Sequence, residues 1–262
     1  MVQAVCAALT IGVQARSVTF TIDQIRDKIE GGWVGQLVGN AWGVPTEFKY
    51  RGKVVPDHAV PRIGAVNVNY PFRDDDLYTE IQFLRAMYDK KDPTIGWDVL
   101  APYWRDSRFR IWCANRMARE GLAKGMKAPA TGHYSYNHYT TYIDRSIECQ
   151  YVGQACPGLL MAAQDLEWRH GHVITYGMGI YSGIVSVVMQ AAAWVVDSIE
   201  MNHPDGTPMK GYEKILDFGR RSVPEETKFR RAIETAYEAF AENPTDWKYC
   251  WQKVKDTWRS YV

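Results

Sequence analysis

Apolar residues recur at helical intervals along most of this chain. In the first such stretch, Ile22, Ile25, Ile29, Trp33 and Leu37 follow one another at steps of three or four residues. This spacing places their side chains on one face of an α-helix. The pattern therefore predicts a long amphipathic helix near the start of the chain.

The ends of this first helix carry their own signals. Thr21 followed by Gln24 is the signature of a capping box, which satisfies free backbone N–H groups at a helix start. Pro45 cannot continue a helix and therefore marks its end. Four glycines share one face of the helix, at Gly32, Gly35, Gly39 and Gly43. Because each interior glycine costs roughly 1 kcal/mol relative to alanine, we expect a neighbouring helix or a bound ligand to approach that face closely.

The rest of the chain repeats the helical pattern. Further helices are predicted at 77–87, 97–120, 143–152, 159–167, 184–196, 211–218, 225–242 and 245–261. Segments containing Gly and Pro separate several of them, and the nearest candidate for a strand is the short alternating run at 66–70. The sequence shows no alternation of strands with helices. It therefore predicts an all-α fold, a compact multi-helix single domain without an internal repeat.

The bulk composition narrows the classes of partner. With 31 basic and 30 acidic residues the net charge is +1, so we expect no nucleic-acid partner. No apolar stretch reaches the length of a membrane-spanning helix, so we expect no integral membrane segment. The five cysteines include no C-x-x-C pair, which argues against a zinc site or a thioredoxin motif.

The first eighteen residues form a candidate leader. Residues 4–13 are mostly apolar and are followed by the small-x-small run Val13-Gln14-Ala15, which is typical of a secretory signal. The usual basic residues are missing from the first three positions, so a tail without a targeting role is the alternative. We therefore predict a leader at 1–18 and a helical domain at 19–262. The pattern favours a secreted or periplasmic protein over a cytoplasmic one.

Three adjacent carboxylates, Asp74, Asp75 and Asp76, stand where the second helix is predicted to begin. Their mutual repulsion costs stability unless the helix N-terminus or a cation compensates it. They are either capping and first-turn acids or oxygen ligands of a hard cation such as Mg²⁺ or Ca²⁺. Glu47, just beyond Pro45, either faces the space opened by the glycines or lies in solvent.

Two further pairs of polar residues have a spacing that suits chemistry. Asp144 and Glu148 lie four residues apart and share a helix face, where they contact substrate or form an ion pair. His170 and His172 form an H-x-H pair, but a zinc site would need further ligands that the sequence does not offer nearby.

Four blocks of this chain resemble one enzyme family. Residues 31–48 resemble the glycine-rich first helix of the ADP-ribosylglycohydrolase family, which ends in a Gly-x-Pro-x-Glu-type turn. Asp74-Asp75-Asp76-Leu77 is similar to that family's Thr-Asp-Asp-Thr metal motif. Residues 143–158 and 176–183 resemble a secreted-looking bacterial branch of it.

The resemblance implies a compact all-α fold with a binuclear magnesium centre, for which Ca²⁺ or Mn²⁺ are alternatives. Asp75 and Asp76 are then metal ligands, with Asp74 in the third ligand place. Glu47 and Asp76 take the catalytic positions, with Glu47 beside the scissile bond. The substrate-binding positions are Gly39, Gly43, Asp144, Glu148, Gly177, Gly179 and Tyr181.

The activity that the resemblance implies is metal-dependent hydrolysis of an N- or O-glycosidic bond, with ADP-ribose removed from a modified acceptor. A small molecule or an ADP-ribosylated or otherwise glycosidic acceptor is the expected partner. Two alternatives stay open: a relative that only binds its ligand, and a hydrolase of carbohydrate glycosides, which the leader favours.

Three departures from the family pattern bear on this choice. No C-terminal Asp-x-Asp metal motif occurs, so we expect the domain to be incomplete at that end. Met178 stands where the bacterial branch tends to have Asp. Gln150 stands where an acid is common after Glu148. These departures argue against the binding of a second metal ion.

Overall fold

The computed structural model describes residues 17–62, 64 and 69–259. Across these residues it contains eleven α-helices and several short 3₁₀ turns, and no β-strand beyond one isolated bridge between Asn202 and Pro208. The all-α prediction is confirmed. The candidate leader lies outside the described residues except for positions 17 and 18, as does the candidate strand except for positions 69 and 70.

The eleven helices run in the order α1 Ile22–Gly43, α2 Asp75–Lys90, α3 Trp97–Asp106, α4 Cys113–Ala123, α5 Asp144–Ile147, α6 Gln150–Ala155, α7 Leu160–Gly171, α8 Met178–Ala193, α9 Gly211–Arg221, α10 Lys228–Glu242 and α11 Trp247–Trp258. In the described part of the chain, no helix combines the length and the apolar character that crossing a membrane requires.

The first helix begins and ends where its sequence signals predict. The backbone N–H of Gln24 donates to the Thr21 hydroxyl at 3.2 Å, and the backbone N–H of Thr21 donates to the Gln24 side chain at 2.8 Å. At the other end, the 3₁₀ turn Val44–Thr46 contains Pro45. Of its residues only Ala41 is buried, so α1 lies on the surface of the molecule.

The core of the molecule surrounds α8, which packs against α5, α6, α7 and α9. This helix begins at Met178, six residues earlier than its apolar run predicts. Gly179 and Gly183 precede the predicted helix at 184–196 but are helical in the structure. A methyl group on Gly179 would lie 1.9 Å from the Thr140 carbonyl oxygen, and one on Gly183 would lie 2.2 Å from Glu167 Oε1. These glycines are therefore places where neighbouring segments press against the central helix.

Two predicted helices are each divided in the structure. The segment 97–120 forms α3 and α4, separated by residues 107–112. Arg119 stabilises this break because its guanidinium donates to the carbonyl oxygens of Ser107, at 3.2 Å, and Phe109, at 2.8 Å. The segment 143–152 likewise forms α5 and the start of α6, with the break at Glu148 and Cys149.

Candidate active site

The three aspartates lie at the start of α2. Asp74 has an extended backbone, and its carboxylate accepts the backbone N–H of Asp76 at 3.2 Å, so it caps the helix. Asp75 and Asp76 form the first turn and are half-buried. One carboxylate oxygen from each of the three lies within 4.8 Å of the others. Capping therefore accounts for the position of Asp74, while Asp75 and Asp76 lie half-buried beside it.

Two amides on α1 hold the start of α2. The side-chain N–H of Asn40 donates to Asp76 Oδ2 at 3.0 Å. Gln36 donates to the Asp76 carbonyl oxygen at 3.2 Å and to the Glu80 carboxylate. Residues four apart lie on one helix face, and both amides lie there beside the glycines. We did not predict either residue, although their spacing from Gly32 offered a signal.

Glu47 lies in the same cleft as Asp74 and Asp76. The 3₁₀ turn at the end of α1 fixes its backbone, because the Glu47 N–H donates to the carbonyl oxygens of Gly43 at 3.1 Å and Val44 at 3.2 Å. The cleft has a volume of about 330 Å³ and is lined by Gly39, Asn40, Gly43, Val44, Thr46, Glu47, Asp74 and Asp76. The structure thus brings together Glu47, two of the aspartates and two of the glycines that the sequence singled out.

The carboxylates of this cleft disfavour their own charged forms. Burial, with repulsion from Asp74 and Asp76, raises the pKa of Asp75 to about 6. Burial and repulsion from Asp74 and Glu47 also raise the pKa of Asp76 to about 6, against the hydrogen bond from Asn40. The pKa of Glu47 is raised by burial and by Asp74. The cleft therefore concentrates negative charge that a bound cation would neutralise.

The donor set suits a hard divalent cation. Carboxylate oxygens are the ligands that Mg²⁺, Ca²⁺ and Mn²⁺ prefer. Within the described residues this is the only group of three or more acidic, histidine or cysteine side chains close enough to share an ion. Leu77, at the place of the motif's second Thr, is buried and offers no side-chain oxygen. The three aspartates therefore fit a cation with carboxylate ligands alone.

The glycine face of α1 is open along most of its length. A methyl group on Gly35, Gly39 or Gly43 would meet no heavy atom within 4 Å. A methyl group on Gly32 would lie 2.9 Å from the amide nitrogen of Gln154. Protein therefore approaches this face closely at Gly32, while the positions beside the acidic cleft leave room for a ligand.

The family model for ADP-ribosylglycohydrolase matches residues 21–261 of the chain. The chain belongs to the ADP-ribosylglycohydrolase family. No curated protein and no solved structure matches it. ADP-ribosylglycohydrolases are glycoside hydrolases and are typically metal-dependent, so this chain is an enzyme of the glycoside hydrolase type. The matched span contains Glu47 and all three aspartates.

Asp144 and Glu148 lie in the protein interior, outside the lining of the acidic cleft. The backbone N–H of Asn115 donates to Asp144 Oδ1 at 3.1 Å. Glu148 is fully buried, and Arg145 Nη1 lies 3.9 Å from its carboxylate. The Arg145 guanidinium itself makes a bidentate pair with Glu167 at 2.9 and 2.6 Å. Burial, ahead of the opposing effect of Arg145, raises the pKa of Glu148 well above its ordinary value.

The expected substrate positions Gly177, Gly179 and Tyr181 also lie outside the cleft lining, at the start of α8. Gly177 has a φ of +59° and precedes the helix. Gly179 packs against the Thr140 carbonyl group. Tyr181 is half-buried, and its pKa is raised by burial and by the charge of Glu226.

The H-x-H pair is part of the core. His170 is fully buried, with its two ring nitrogens 2.6 Å from the Tyr151 hydroxyl and 2.9 Å from the Ile95 carbonyl oxygen. Burial lowers the pKa of His170 to about 3. His172 pairs through Nδ1 with the Trp168 carbonyl oxygen. Both ring nitrogens of His170 and the Nδ1 atom of His172 are thus engaged in hydrogen bonds within the protein.

Proposed function

We propose that this protein hydrolyses the glycosidic bond between ADP-ribose and a modified acceptor, with Asp74, Asp75 and Asp76 as ligands of a divalent cation, Mg²⁺ above all. The convergence of Glu47 with Asp74 and Asp76 in one cleft, with Asp75 grouped beside them, carries the proposal. Residues 47 and 74–76 lie on separate segments that the fold brings together. The family membership supports the reaction class.

Different residues of the cleft make room for the substrate, orient a carboxylate and transfer a proton. Gly39 and Gly43 leave space beside α1 for the sugar, and Asn40 orients the Asp76 carboxylate. Glu47 stands at the exposed rim, where its carboxylate can take a proton from an attacking water. Asp76, which also lines the cleft, is the second candidate for this proton transfer. A bound divalent cation would supply Lewis-acid polarisation at the carboxylate cluster.

Release of ADP-ribose is the direct test. Purified protein is incubated with an ADP-ribosylated arginine peptide and an ADP-ribosylated serine peptide, in Mg²⁺ and in excess chelator. We expect metal-dependent release from at least one linkage and a loss of about 100-fold or more in Glu47→Gln and Asp76→Asn. Asp57→Asn, which removes an exposed acid outside the cleft, serves as the matched control and should retain wild-type rates.

A binding-only relative gives a different result in the same experiment. ADP-ribose would then bind in calorimetry, with a heat that Asp76→Asn abolishes, while neither peptide is cleaved under any metal condition. Cleavage of simple carbohydrate glycosides, with the ADP-ribosyl peptides left intact, would move the same chemistry to another substrate. Metal-independent release would contradict the role given to the aspartates.

A further inference from the structure

A second pocket lies along the N-terminal half of α1. Its volume is about 390 Å³, and it is lined by Lys28, Gly32, Gln36, Gln150, Gln154, Gln190, Ala193 and Trp194. Four of these are glutamines, contributed by α1, α6 and α8. A pocket of this size is large enough for a small molecule. The wall between the three helices is therefore polar but mostly uncharged.

Three of the four glutamines carry an acceptor without a donor. The Oε1 atoms of Gln36, Gln154 and Gln190 are shielded from solvent and accept no hydrogen bond from any described residue. Gln150 differs, because its Oε1 accepts the Cys149 N–H at 3.0 Å and its Nε2 donates to the Ser146 carbonyl oxygen at 3.1 Å. Buried polar atoms are nearly always paired, so these three amides would gain hydrogen bonds by turning toward a ligand in the pocket that donates them.

The charges around the pocket narrow the chemistry of that ligand. Among the described residues no carboxylate lines the pocket, and Lys28 is the one charged side chain in its lining. The Lys28 Nζ lies 5.9 Å from the Trp194 ring centroid. The ammonium disfavours a cationic donor such as a guanidinium group. The unpaired amide oxygens disfavour an anion. Hydroxyl groups can donate to Oε1 and accept from Nε2, so they suit a glutamine amide in either orientation.

We propose that this glutamine pocket, the pocket lined by Gln36, Gln154 and Gln190, binds a neutral polyhydroxylated ring of the sugar class. Gly32 contributes by leaving room for the Gln154 amide, which a methyl group there would meet at 2.9 Å. Trp194 supplies an apolar wall for the carbon face of the ring.

The glutamine pocket and the acidic cleft are separate cavities that both lie beside α1. Lys28, Gly32, Gln36 and Asn40 recur every four residues on α1, so they follow one face of the helix. Gln36 lines the pocket and donates to the backbone of Asp76 in the cleft. The helix rises about 12 Å from Gly32 to Asn40. If the proposed function holds, the pocket receives a sugar on the acceptor side of the substrate, and it favours linkages to a hydroxyl over linkages to an arginine guanidinium group.

Side-chain amide resonances provide the test. D-ribose, D-glucose and myo-inositol are titrated into ¹⁵N-labelled protein at concentrations up to about 100 mM, since single sugar rings bind weakly. Methylguanidine and inorganic phosphate are the cationic and anionic probes. The signals that disappear in Gln154→Leu and Gln190→Leu identify the two amides. Gln252→Leu, at an exposed position of α11, is the matched control.

We expect at least one of the three polyhydroxylated compounds, D-ribose, D-glucose or myo-inositol, to shift the resonances of both pocket amides. That compound should bind about tenfold more weakly to Gln154→Leu, while Gln252→Leu keeps the wild-type affinity. If Gln190→Leu fails to fold, Gln154→Leu carries the comparison. The proposal is overturned if none of these three compounds shifts the amide resonances, or if methylguanidine or phosphate binds instead. It is also overturned if the affinity is the same in every variant. Binding without hydrolysis of any glycoside would remove the proposed function and leave the pocket assignment intact.

Discussion

At the scale of single residues, Asn40 sets the direction in which Asp76 presents its carboxylate. Its amide donates to Asp76 Oδ2 at 3.0 Å. Groups that orient a metal ligand typically affect metal affinity by about 10-fold or more. We expect Asn40→Ala to weaken Mn²⁺ binding about 10-fold in calorimetry, with the fold intact by circular dichroism. Val34→Ala, at an exposed position on the same helix, should leave the affinity unchanged. Equal affinities in both variants would remove Asn40 from the site.

Glu80 links the acidic cleft to the buried interior and gives the fold a pH dependence. Burial, against hydrogen bonds from the Tyr151 N–H and Gln36, raises the pKa of Glu80 to about 8. Because the folded protein prefers the protonated acid, this contribution to stability is present below the ordinary pKa of about 4.5 and is lost as the pH rises through about 8.

Glu80→Gln should therefore flatten the pH profile of unfolding. A glutamine cannot ionise, so the free energy of unfolding should lose a slope of up to ~1.4 kcal/mol per pH unit between about pH 5 and 8. The glutamine has one acceptor fewer, which lowers the free energy of unfolding by roughly 1 kcal/mol at every pH. This loss does not change how steeply the free energy of unfolding varies with pH. Urea titrations across this range measure both quantities. The control Glu30→Gln removes an exposed acid of α1 and should keep the wild-type slope. If Glu80→Gln also keeps the wild-type slope, Glu80 does not titrate in this pH range.

At the scale of elements, the glycines of α1 and α8 differ in how closely neighbouring groups approach them. A methyl group on Gly35 meets open space, whereas one on Gly183 would lie 2.2 Å from Glu167 Oε1, which the ion pair with Arg145 holds in place. We expect Gly35→Ala to raise the free energy of unfolding by about 0.5–1 kcal/mol and Gly183→Ala to lower it by about 1–3 kcal/mol. Chemical denaturation measures both changes. Destabilisation by Gly35→Ala would indicate a close neighbour on that face.

Helix starts and the acidic motif could be predicted because their signals are local. The capping box at Thr21 and the run Asp74–Asp76 need only a few adjacent residues. The break between α3 and α4 could not be predicted, because apolar periodicity continues across it and Arg119 stabilises it from a distance. The same holds for Asn40, whose importance depends on a contact with residue 76 that only the packed helices create.

At the scale of the whole molecule, the acidic cleft joins two regions of different packing. The core surrounds α8, and the buried pair of Arg145 and Glu167 lies within it. In contrast, α1 buries only Ala41 and meets α2 partly through its amides. The open space beside this helix gives a ligand access to the carboxylates. The cleft therefore lies between α2, which packs against α3 and α6, and the exposed helix α1.

The stability of the whole molecule should consequently report on the occupancy of the carboxylate cluster. Without a cation, Asp74, Asp75 and Asp76 repel one another at distances within 4.8 Å, and this repulsion lowers the free energy of unfolding. A cation that binds only the folded chain stabilises it by about 2.7 kcal/mol at 100 times its dissociation constant. We expect the Tm to rise with Mn²⁺ or Mg²⁺ in differential scanning calorimetry and to fall again with chelator.

The double variant Asp75→Asn and Asp76→Asn should have a higher Tm than wild type in chelator, because the repulsion is gone, and should show no shift with metal. Asp57→Asn should respond to metal as wild type does. A metal-induced shift of equal size in the double variant would place the cation somewhere other than this cluster.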